Sequence, residues 1–85
     1  MPYRVIIAPK AERQMVKLSK EVLDRLDPKI LARAETPRPQ GVEKLTNEER
    51  LYRVRVGDYR IVYEIRDDAG LVKVTKVGHR REVYR

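Results

Sequence analysis

The chain contains no cysteine, a single histidine, His79, and five aromatic residues, all of them tyrosine. Without cysteine there are no disulfides, thiol nucleophiles or zinc–thiolate sites, and the composition fits a reducing compartment. One imidazole cannot build a histidine-clustered metal centre, and the basic C-terminal half offers no obvious group of carboxylates in its place, so no cofactor is expected. No apolar run approaches the roughly 20 residues of a membrane-spanning helix, and the start MPYRVIIAPK has no signal-peptide pattern. The expected setting is therefore cytoplasmic, with no membrane partner.

At 85 residues the sequence supports a single domain over residues 1–85. Lys and Arg number 20 against 13 Asp and Glu, a net charge of +7, which favours a polyanionic partner. The excess is uneven: residues 50–85 hold 10 basic and 5 acidic side chains, against 10 and 8 before them.

Val5, Ile6 and Ile7 predict a short, buried first strand ended by Pro9. Ala11, Met15 and Leu18 then recur at helical spacing behind that proline. Ser19 is placed to cap a second helix with the stripe Val22, Leu23, Leu26, Ile30 and Ala34, kinked or restarted at Asp27-Pro28. TPRPQG (Thr36 to Gly41) is a loop, and Val42 to Glu49 shows little periodicity. Beyond Arg50 the period becomes two: LYRVRV, GD, YRIVYEI, RDDAG, LVKVTKV, a three-stranded antiparallel meander. The expected fold is α+β, in the order β-α-α-β-β-β, an antiparallel sheet packed by an N-terminal helical hairpin.

A two-residue turn at Gly57-Asp58 would pair Arg55 with Arg60, Arg53 with Val62 and Tyr52 with Tyr63. Tyr52, Val54, Ile61, Tyr63 and Ile65 then face the core, and Arg53, Arg55, Arg60 and Glu64 share the opposite face. Like charges directly across a sheet repel, which calls for solvent-splayed side chains or an anion between them. Guanidinium groups, permanently charged and fork-shaped, suit phosphate oxygens. The tail GHRREVYR adds Arg80, Arg81 and Arg85 beside His79 and Tyr84, a mixture of cations and a ring suited to single-stranded RNA. Val72 and Val74 point to the core, but the same alternation would send Lys76 there too, which predicts a bulge, an edge position or a different turn length.

LYRVRVGDYRIVYEI followed by VGHRREVYR resembles the RelE/ParE superfamily of toxins from toxin–antitoxin pairs, on its RelE side, and the similarity covers nearly the whole chain. The resemblance implies a microbial-RNase-like fold and a toxin that enters the ribosomal A site and cleaves mRNA without metal. It also implies cleavage by attack of the 2′-OH on the adjacent phosphate, and neutralisation by a cognate antitoxin. Carried over by motif position, Arg60 and Arg80 would bind phosphates, Arg53 and Arg55 would stabilise developing charge, and Tyr84 would stack on a base. Arg81 and Arg85 would add to RNA binding. The RelE pattern has lysines where this chain has Arg53 and Arg55, and arginine yields its proton poorly. Proton transfer is thus left to His79, Tyr84 or a held water. The alternative implied by the superfamily is a ParE-like inhibitor of DNA gyrase without nuclease activity; a member that binds RNA or antitoxin without cutting is a third.

Overall fold

A hairpin turn fixes the centre of the sheet. The computed structural model describes residues 2–39, 41–45 and 50–83. Gly57 adopts φ +60 at the turn between β3 (Leu51–Val56) and β4 (Tyr59–Arg66), and the two strands pair in the expected register, from Val56↔Tyr59 to Tyr52↔Tyr63. A side chain at Gly57 would be strained by that φ and would also meet the Arg25 guanidinium, 2.5 Å from an ideal Cβ.

The meander closes with β5 (Leu71–His79), antiparallel to β4. The first strand, β1 (Arg4–Ile7), lies on the far side of β5 and runs parallel to it, with Val5 beside Val72. The sheet is therefore mixed, not wholly antiparallel, because two helices intervene before the chain returns and allow a same-direction pairing. β1 is also an edge strand: Ile6 and Ile7 are 38% and 37% exposed, which corrects the expectation that it is buried. At the opposite edge, β2 (Glu43–Lys44) pairs antiparallel with β3, in a stretch whose sequence shows no strand periodicity.

Helix α1 (Pro9–Val16) starts with proline in its first turn, where a missing N–H costs nothing, and buries Ala11. Helix α2 (Lys20–Leu31) is capped by the Ser19 hydroxyl, which accepts from the Val22 N–H at 3.3 Å. Pro28 lies inside α2, which continues through it without a restart at Asp27. At that point the helix forgoes the bond of the absent N–H. The helices are not seated as a simple hairpin: α1 lies on β5 and α2 reaches β3. A short helix, α3 (Arg80–Val83), follows β5 directly.

The core between helices and sheet contains Leu26, Ile61, Tyr63, Val72, Val74 and Val77, all essentially inaccessible. Tyr52 and Val54 pack against it, so the predicted core face is the observed one. Tyr63 adds a polar anchor, its hydroxyl donating to the Pro37 carbonyl at 2.8 Å. Arg38 in the same loop lies over the Tyr52 ring, 5.1 Å from its centre, and grips Asp67 with two hydrogen bonds of 3.2 and 2.9 Å. Those bonds, with that from the Tyr3 hydroxyl, hold the Asp67 carboxyl below its usual range. Tyr63→Phe is expected to lower stability by at least about 1 kcal/mol in urea unfolding, since it removes the part-buried bond to Pro37 and the hydroxyl's interaction with the buried Arg33 guanidinium while keeping the ring. An unchanged midpoint would show that the hydroxyl contributes nothing net.

Candidate nucleic-acid interface

Strand alternation delivers Arg53 and Arg55 from β3 and Arg60 from β4 to the sheet face away from the helices, with Arg55 directly opposite Arg60. Together with Gly41, Glu43 and Val54 they line an open depression of about 370 Å³. The repulsion between Arg55 and Arg60 is handled by geometry. Arg60 is only 5% exposed and folds toward the turn, its Nη1 donating to the carbonyls of Gly57 at 3.2 Å and Tyr59 at 3.0 Å, whereas Arg55 is exposed.

The depression also holds a carboxylate of the protein's own, on Arg53 and not between Arg55 and Arg60. Glu43, brought beside Arg53 by the two-residue strand β2, forms an ion pair and hydrogen bond with the Arg53 guanidinium. That bond, together with the positive fields of Arg53, Arg55 and Arg60, lowers the Glu43 pKa below its usual value. Glu43 was not among the candidates from sequence. A two-residue strand carries no periodicity, and only its pairing with β3 puts the carboxylate in the cationic depression.

The tail residues separate. The Arg80 backbone N–H donates to the Asp58 carbonyl at 2.8 Å, which ties the start of α3 to the turn joining Arg55 to Arg60. Arg81 is exposed, and its N–H donates to His79 Nδ1 at 3.3 Å. His79 pairs with Tyr59 across β5 and β4, and the two rings meet edge to face with centres 5.7 Å apart. It thus shares the face of Tyr59, Ile61 and Val77, opposite that of Arg60, and the fold does not bring its imidazole into the arginine depression. Tyr84 and Arg85 lie outside the described residues. Among those residues no group of three or more His, Asp or Glu is arranged to hold a metal ion, and no helix is long and apolar enough to cross a membrane.

The mixed α+β fold, a five-stranded sheet with two helices, matches that of RelE toxins. The chain superimposes on the toxin–antitoxin complex RelBE2 of Mycobacterium tuberculosis with a TM-score of 0.83 at 26% identity, covering 93% of this chain and 99% of that one. An E. coli RelE mutant in the free state gives 0.82 at 30% identity over 99% and 92%. The RelE–RelB complex of Pyrococcus horikoshii gives 0.82 at 29% over 94% and 97%. No curated protein matches by sequence. The family model for the ParE toxin of the type II toxin–antitoxin system parDE matches residues 5–84. The chain belongs to this family and is a toxin of a type II toxin–antitoxin system with a RelE-like fold.

Proposed function

We propose that this toxin is a ribosome-dependent mRNA endoribonuclease, acting in the cytoplasm and neutralised by a cognate antitoxin. The observation that carries the reading is the meeting of three arginines and one carboxylate in a single depression. A surface that only binds protein has no need to focus cations in this way. The RelE–RelB complexes among the similar structures support the antitoxin partner.

Phosphate enters the depression by competing with Glu43 for Arg53. Arg60, preorganised by the turn carbonyls, and Arg80, whose backbone is tied to the same turn, bind the scissile and neighbouring phosphates. Arg53 and Arg55 stabilise the charge that accumulates on the pentacoordinate phosphorus. Glu43, displaced from Arg53, accepts the 2′-OH proton as the 2′-oxygen bonds to phosphorus. The bond to the 5′-oxygen breaks, that oxygen takes a proton from water, and the hydroxide left is neutralised by the proton on Glu43, which restores the carboxylate. The products are a 2′,3′-cyclic phosphate and a 5′-hydroxyl. Tyr84 is assigned to stacking on a base, and Arg81 and Arg85 to the flanking backbone.

Translation-coupled primer extension tests the reading. New mRNA 5′ ends are expected at codons of stalled ribosomes, with 2′,3′-cyclic phosphate on the upstream fragment. No such ends, together with impaired DNA supercoiling by gyrase, would replace this reading with the ParE-like one.

A further inference from the structure

Lys76 reaches the arginine face only because β5 is bulged. The β4–β5 register shifts between Val62 and Tyr63: Tyr63 pairs with Val74, but Val62 pairs with Lys76, leaving Thr75 as the extra residue. Without that insertion the alternation that buries Val72 and Val74 would drive the Lys76 ammonium into the core, where an unpaired charge is costly. The bulge is anchored on both sides. The Thr75 hydroxyl donates to the Val62 carbonyl at 3.2 Å, and the Val77 N–H donates to Gln14 Oε1 of α1 at 2.8 Å.

The result is one row across four strands, Glu43–Arg53–Val62–Lys76, beside a second row, Arg55–Arg60–Gly78. Arg53 and Lys76 stand two strands apart, roughly 10 Å at ordinary strand spacing. Between them Val62 is 3% exposed and forms an apolar floor outside the main core. The next row is different in charge: Glu64 lies across from Lys73 and is bridged to Arg66 at 3.0 Å. The unbalanced positive charge therefore runs across the strands toward Lys76 and stops before Glu64.

We propose that Lys76 is a second phosphate subsite, and that single-stranded RNA crosses the sheet from β3 to β5 with one phosphate at the arginines and a neighbouring one at Lys76. This rests on the phosphate-binding reading of the depression. A flexible ammonium suits the role, because a non-reacting phosphate needs a point charge more than a fixed fork of donors.

The test is the salt dependence of binding to a short single-stranded RNA with 2′-O-methyl sugars, which cannot be cleaved. Lys76→Ala is expected to weaken binding several-fold at low salt and to lower the slope of log K against log[salt] by about 0.7, the value for one lost contact to a single strand. Lys76→Arg should restore the slope, and Lys29→Ala, on the helix layer, should leave it unchanged. If Arg53→Ala lowers the slope while Lys76→Ala behaves like Lys29→Ala, or if Lys76→Arg is as defective as Lys76→Ala, the Lys76 subsite is overturned and the arginine site stands. If neither Arg53→Ala nor Lys76→Ala changes the slope, the phosphate reading of the whole face falls with it.

Discussion

Arg60→Ala is expected to slow mRNA cleavage on programmed ribosomes by about 10²–10³-fold, the usual cost of removing one preorganised donor from a site of developing charge. The size of the effect follows from how the side chain is held. Arg60 is nearly inaccessible and already bonded to two turn carbonyls, so its guanidinium needs little reorganisation when phosphate arrives. Arg60→Lys keeps the charge but loses the fork, and should fall between wild type and alanine. Because truncating a buried side chain also disturbs the turn, melting curves for both variants separate misfolding from lost chemistry. A folded Arg60→Ala protein that cleaves at the wild-type rate would remove Arg60 from the mechanism.

Glu43→Gln should move binding and cleavage in opposite directions. The amide keeps the shape but not the charge, so Arg53 no longer holds a resident anion, and affinity for uncleavable RNA is expected to rise. Cleavage should fall by about 10²-fold or more, the contribution of a positioned proton acceptor. A residue that only braced β2 would lose both together. The Glu43 titration gives an independent check. In the protein alone its carboxyl is held below the usual range by Arg53 first, with Arg55 and Arg60 adding to it. The ion pair thus stabilises the fold above the unfolded-state carboxylate pKa, and that stabilisation disappears as pH falls through the lower folded value. Bound phosphate draws Arg53 away and adds negative charge, so the Glu43 pKa should rise on RNA binding. Carboxyl-carbon NMR with and without 2′-O-methyl RNA measures this directly, and an unmoved or lowered value would count against Glu43 as the proton acceptor.

The arginine face was legible because a two-residue turn leaves no freedom: once Gly57-Asp58 closes the hairpin, strict alternation sends Arg53, Arg55 and Arg60 to one side. The core face followed from the same parity. His79 was the misleading case. It sits next to Arg80 in sequence, yet strand parity sets it against Tyr59, on the other side of the sheet. The buried first strand was a misreading of a similar kind, since Val-Ile-Ile describes a β-strand equally well at an edge and at the centre.

By itself, then, the sequence determined the elements that local rules govern: helix starts at Pro9 and Ser19, the hairpin register, and the parity of the arginines. Tertiary structure alone decided what depends on pairing between distant segments. It set β1 parallel to β5, drew Glu43 beside Arg53 through a strand of two residues, and selected the bulge at Thr75 from the alternatives that the parity of Lys76 had left open. Each of these is fixed by which backbone groups meet between separate strands, and no local propensity encodes that meeting.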